Sequence, residues 1–207
     1  MAAELAASLG ENLRVLWLIC GGSNIPYAVE AMNIVRKTVS TGQLGLLTVG
    51  QTDERYGRVG HKDSNWKQME DAGFNFDNTN PLPILLDEDL ETTVTEYERR
   101  ITNAFSENDR VVAQFGIGAD GHVAGMLPYT GGIEAKEFVY GYDSSPFVRI
   151  TLTPPAFAHI NSAYAFAFGE SKKDAIQKLR NQNLALSEEP CQILKTIPTS
   201  VFYSDQL

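Results

Sequence analysis

The stretch QFGIGADGHVAGMLP, Gln114 to Pro128, sets one aspartate and one histidine among four glycines, Gly116, Gly118, Gly121 and Gly125. Histidine titrates near neutrality, so one imidazole can take a proton from water and return it to a leaving group. Asp120 and His122, two residues apart in a tight turn, can both reach one pocket. Glycines in such number cost folding entropy and point to backbone that must approach something closely. A lone histidine is more often a satisfied structural residue. Here the nearby carboxylate, the glycines and the apolar run ahead of them favour acid–base chemistry. His61 and His159 lack that setting and read as structural.

Anion-binding groups lie elsewhere in the chain. CGGSNIP (Cys20 to Pro26) leads from an apolar run into a helical pattern, and the amides of Gly21 and Gly22 with the Ser23 hydroxyl suit a phosphate. The plainer reading is a tight turn with Ser23 or Asn24 as helix cap. The stretch is neither a Walker loop nor GxGxxG. In TDERYGRVGHKDSN (Thr52 to Asn65) most charges read as a solvated loop, and Asp63-Ser64-Asn65 as a cap for the next helix. Asp53 and Arg55 sit nearest the preceding strand, where side chains can enter a crevice. Arg149 starts a strand. Lys172 follows Gly169 at a strand-to-helix turn, where the helix N-terminus would reinforce its field on an anion.

Short apolar runs alternate with longer amphipathic ones. Strands are expected at residues 14–20, 44–49, 110–117, 148–153 and 162–168, and helices at 27–37, 64–72, 87–105 and 171–181. In the third helix Leu90, Val94, Tyr97, Ile101 and Phe105 recur at helical spacing. Several strands are apolar at nearly every position, as strands covered on both faces are. The alternation implies a three-layer αβα arrangement, α/β in class, with a mainly parallel sheet and helices on both faces. Ligands of such sheets collect at the carboxyl ends of the strands. The loops holding Ser23, Asp53 and His122 all leave there and would converge on one crevice. The stretch NFDNTNPLPIL reads as a surface loop, and all 207 residues as a single domain.

A net charge of -9 argues against nucleic acid or an anionic membrane as partner, since both require a dense basic surface. It allows a small anionic ligand held by a few local cations. Cys20 and Cys191, without metal-like spacing, read as reduced thiols packed as small apolar groups. The first residues lack the basic start and apolar core of a secretory leader, and no apolar run is long enough to span a bilayer, so the chain reads as cytoplasmic. Oligomeric state is not written in these patterns.

In their order, these pieces resemble the 6-phosphogluconolactonases, within the wider group that includes the glucosamine-6-phosphate deaminases. The likeness runs from Arg14 to the C-terminus. It rests on GGS..P from Gly21, on DER from Asp53 followed by H.DSN (His61, Asp63, Ser64, Asn65), on G.G.DGH.A...P from Gly116, on RITLT from Arg149, and on G..K from Gly169. The deaminases carry a glutamate directly before the proline; here that residue is Leu127, hydrophobic as in the lactonases. In three respects the chain departs from the pattern. GGSNIP is one residue longer than the commoner loop, Gly125 stands where a serine is usual, and AAELAASLGENL leaves little room for a helical lead-in.

The resemblance implies a Rossmann-like fold. It further implies hydrolysis of 6-phospho-D-glucono-1,5-lactone to 6-phosphogluconate, a step of the pentose phosphate pathway, without metal or cofactor. His122 would be the general base, with Asp120, Arg55 and Asp53 beside it. Gly21, Gly22, Ser23, Arg149 and Lys172 would hold the phosphate of a small phosphosugar lactone. A deaminase or isomerase of glucosamine 6-phosphate, or a non-catalytic sugar-phosphate-binding protein, would be the rivals; a mere binder needs the cations and glycines but no poised base.

Overall fold

The run VLWLI, buried at every residue, forms the inner strand from which the sheet grows in both directions. The computed structural model describes residues 1–205. Its first half contains α1 (Ala2–Gly10), β1 (Val15–Ile19), α2 (Ile25–Thr38), α3 (Thr41–Leu44), β2 (Leu47–Gln51), β3 (Asp53–Arg55), α4 (Asn65–Asp71) and β4 (Asn80–Leu82). The second half contains α5 (Leu90–Glu107), β5 (Arg110–Gly116), β6 (Val139–Asp143), β7 (Val148–Leu152), α6 (Pro154–Phe157), β8 (Ser162–Ala167), α7 (Lys173–Asn181) and β9 (Thr199–Ser204).

Six strands form one sheet in the order β4-β2-β1-β5-β8-β9, every pair parallel. The chain builds outward from β1 through β2 to β4, then restarts at β5 and builds the other way. That reversal falls between β1 and β5, where loops leaving the two strands diverge and open a crevice. Alternation along β1 divides the core. Leu16 and Leu18 join Tyr97 and Ile101 of α5 on one face, and Val15, Trp17 and Ile19 meet Leu5, Leu9, Ala28 and Met32 of α1 and α2 on the other. The α/β class, the parallel sheet and its two helical layers are as the sequence implies.

Several elements differ from the sequence reading. The strand expected at 148–153 is not part of the parallel sheet: as β7 it lies between β3 and β6 in a separate antiparallel one. β3 itself was expected as loop. It starts one residue after β2, and at Thr52 the chain passes between sheets, its amide donating to Ile19 O and its carbonyl accepting from Leu152 N. Asn80–Leu82, within the stretch expected as surface loop, is an edge strand, a position where Pro81 is tolerated. β9 went unrecognised because TSVFYS is only partly buried and carries no clear alternation. A lead-in helix does exist: α1 fits into the residues thought too few, and buries Leu5 and Leu9 completely. The second strand starts at Leu47, Leu44 closing α3 instead, and α5 starts at Leu90 with the Asp89 side chain capping Thr92 N.

Candidate active site

The crevice at the strand reversal holds about 620 Å³ of space free of protein atoms, its open mouth included. Gly21, Gly22, Ser23, Asp53, Arg55, His122, Arg149 and Lys172 all line it. Of the expected site residues only Asp120 stays off its wall.

His122 is about one-third exposed and lies in the loop that leaves β5, on the cleft wall. Its Nδ1 sits 2.6 Å from Asp120 Oδ1, which also accepts the His122 amide at 3.2 Å. With Nδ1–H committed to a carboxylate, the neutral imidazole keeps Nε2 as a lone-pair acceptor. Asp120 therefore orients the ring from behind instead of sharing the cleft with it. The hydrogen bond from His122 depresses the Asp120 carboxyl to about 2. Gly118 makes this arrangement possible. A Cβ there would fall 2.0 Å from His122 Nδ1 and 2.5 Å from Asp120 Oδ1, so any side chain would displace the pair.

Asp53 is 7% exposed, and its carboxylate accepts from Thr52 Oγ1 at 2.9 Å and Asn65 Nδ2 at 3.3 Å. Next to it, Glu54 faces the opposite way and is fully buried. It accepts from Gln51 Nε2, Ser64 Oγ and the amides of Arg55, Asn65 and Trp66, at 2.6–2.9 Å. This one carboxylate ties β3 to the first turn of α4. In the sequence it looks like one more solvated charge, because nothing local reveals that partners up to 12 residues away close around it. From the sequence Asn65, too, looks like no more than part of a cap. Ser64 does cap α4, but the Asn65 side chain reaches the cleft wall and holds Asp53.

Arg55 and Arg149 are register partners in the antiparallel ladder. Their guanidinium carbons lie 5.3 and 5.7 Å from the centre of the Phe147 ring, so both cations pack against one aromatic ring. Arg55 Nη1 donates to Asp63 O at 3.0 Å, and Arg149 Nε to Ser144 Oγ at 2.8 Å. Lys172 closes the short 3-10 turn that follows Gly169 and enters α7.

In the turn after β1 Asn24 stands at the N-cap of α2, as one of the two expected residues, but its side chain makes no capping bond. Asn24 is buried and spent otherwise: Nδ2 donates to Phe166 O at 3.3 Å, and the Asn24 main-chain carbonyl accepts from Gln114 Nε2 at 2.8 Å. Those bonds pin the turn to β5 and β8 and leave Ser23 exposed on the wall. Gly125 fits closely for a different reason. A Cβ there would meet Thr151 Cβ at 2.9 Å and Asp53 Cβ at 3.2 Å, so a serine would crowd the Asp53 wall. Leu127, before the proline, offers no ionisable group; its amide donates to Tyr142 Oη at 3.4 Å.

The remaining candidates are structural. His61 Nε2 bonds Arg55 O at 2.9 Å, and His159 stacks on Phe105 at 4.7 Å. Cys20 touches the cleft, but burial pushes its thiol up to about 12, far from a thiolate. Among the described residues no group of three or more His, Cys, Asp or Glu is arranged to hold a metal, and no helix is long and apolar enough to cross a membrane.

The model of the family described as glucosamine-6-phosphate isomerases/6-phosphogluconolactonase matches residues 1–202. A protein described as probable 6-phosphogluconolactonase 1 of Arabidopsis thaliana is 33% identical over 142 residues, covering 60% of this chain. The chain spans about half of that relative's length, 53%. The fold matches the crystal structure of a 6-phosphogluconolactonase from Thermotoga maritima with a TM-score of 0.79 at 18% identity, over 98% of this chain and 92% of that one. It matches a monomeric glucosamine-6-phosphate deaminase almost equally, with a TM-score of 0.78 at 19% identity over 99% and 91%. At those identities the likeness speaks for the fold and does not choose between activities. The family match covers nearly the whole chain, and with the strand order and the DGH loop already described it places this protein in the glucosamine-6-phosphate isomerase/6-phosphogluconolactonase family.

Proposed function

We propose that the protein hydrolyses 6-phospho-D-glucono-1,5-lactone to 6-phosphogluconate, with His122 as general base and without a metal. The observation that carries this reading is the imidazole on the wall of the same cleft as Ser23, Arg149 and Lys172, its Nδ1 held by Asp120. The phosphate is held by the Gly21 and Gly22 backbone, Ser23, Arg149 and Lys172, which sets the lactone carbonyl within reach of a water on Nε2. The water oxygen bonds to the carbonyl carbon while its proton moves to Nε2, and the carbonyl electrons move onto oxygen. Arg55 steadies that oxyanion. As the carbonyl re-forms, the bond to the ring oxygen breaks, and the imidazolium delivers its proton there. One water is consumed, and the product is the open acid. Asp53, fixed by Thr52 and Asn65, lies on the same wall and orients a substrate hydroxyl.

The close fit to a deaminase fold keeps one rival in view. Against it stands Leu127, which cannot relay a proton. Freshly prepared lactone should be opened far faster than its spontaneous background, and glucosamine 6-phosphate should release no ammonia. The reverse pattern would establish the rival, and tight phosphosugar binding without either turnover would establish a binding protein.

A further inference from the structure

Behind the Asp120–His122 turn, away from the cleft, lies a buried carboxylate that the reaction above does not use. Glu189 is 4% exposed. Its Oε1 accepts from Lys178 Nζ at 2.8 Å, and the same ammonium meets Asp174 Oδ2 at 2.9 Å. The other oxygen, Oε2, presses on Gly121, the residue between Asp120 and His122: a Cβ on Gly121 would fall 1.7 Å from it. Gly121 has φ of +79°, a left-handed conformation that leaves the turn open to deformation unless something packs on it. The same segment grips the loop from its other sides. Cys191 N donates to Gly121 O at 2.9 Å, and Tyr129 N donates to Ser187 O at 2.8 Å. Glu189 itself is anchored by its amide on Ala185 O at 3.0 Å.

We infer that Glu189, locked in place by Lys178, is a positioning residue that sets the bite of the Asp120–His122 pair. The turn that aims the imidazole is made of loose backbone, and its own hydrogen bonds, Gly118 N to His122 O at 2.9 Å and Gly121 N to Gly118 O at 3.1 Å, lie within the loop. An external stop is needed to fix it against the sheet, and the Glu189 carboxylate is the rigid group in contact. A free carboxylate there would be costly, and Lys178 supplies the charge that lets it stay buried. Burial first, and then the Glu189 charge, raise the neighbouring Cys191 thiol to about 12, which keeps it neutral beside the pair. Neither Glu189 nor Lys178 lines the cleft, so neither touches the ligand. This inference rests on His122 as the base of the proposed reaction.

The test compares wild type with Glu189→Ala, Lys178→Met and the double variant, by lactone hydrolysis and by the imidazole nitrogen and proton resonances of His122. Glu189→Ala should lower kcat about tenfold or more with KM within about twofold, because a base held loosely loses rate without losing ligand. Lys178→Met should fall in the same direction, and the double variant should lose no more than Glu189→Ala alone, since the pair acts as a unit. The His122 Nδ1 proton signal, far downfield while bonded to Asp120, should move upfield in both single variants. Unchanged kcat, a rise in KM instead, or additive losses would overturn the inference. Should Glu189→Ala fail to fold, Lys178→Met carries the comparison. Should wild type not open the lactone, the functional reading fails, and the His122 resonances alone decide the positioning: unchanged signals refute it.

Discussion

Lys172 and His122 serve opposite ends of the ligand in the proposed reaction, so their losses should separate. Lys172→Ala should raise KM for the lactone about tenfold and leave kcat within a few-fold, the signature of lost uniform binding. An unchanged KM would remove Lys172 from the phosphate. Asp120 makes a second case at this scale. Its carboxyl is depressed to about 2 from an ordinary 3.8 by the hydrogen bond from His122, so its stabilising effect is complete above about pH 4 and is lost as pH falls through about 2. The difference in melting temperature between wild type and Asp120→Asn should therefore be present at pH 5 and close as pH falls through that window. A difference that persists at pH 1.5 would mean the carboxylate is not what the turn depends on.

At the scale of elements, the site depends on a strand no longer than three residues, Asp53–Arg55, held to α4 by the buried Glu54 carboxylate. Removing that group leaves five donors without their acceptor and opens a void, so Glu54→Ala should destabilise the protein by about 3 kcal/mol or more. A urea midpoint within error of wild type would show that these bonds are replaced by water at no cost. How much of this was legible in the sequence depends on how local the cause is. The nearness of Asp120 to His122 was legible because the histidine, its carboxylate and the glycines fall in one short loop; that Asp120 lies behind the ring and off the cleft wall was not. The pairing of Arg55 with Arg149 was not, since it follows from an antiparallel ladder between residues far apart in the chain. Glu54 misled for the same reason: a carboxylate in a run of charges looks solvated until the first turn of α4 closes over it.

On the scale of the whole molecule, the reversal of strand order between β1 and β5 brings loops from distant parts of an acidic chain to one cleft with three cationic residues, Arg55, Arg149 and Lys172. The repeating apolar runs made the central parallel strands readable. The edge strands β4 and β9, and the strands β3 and β6 that flank the expected β7, escaped notice because short or partly exposed strands need not alternate. The proposed steps use only a water and the side chains and backbone of this chain, so turnover should be unchanged after exhaustive treatment with a chelator; loss of activity restored by a divalent cation would contradict that. The most direct measurement is a pH-stat comparison of wild type and His122→Asn on freshly made 6-phosphogluconolactone, with the spontaneous rate subtracted. Wild type should exceed the background, and the variant should lose about 100-fold or more in kcat while melting as cooperatively as wild type. Turnover by His122→Asn close to that of wild type would contradict it.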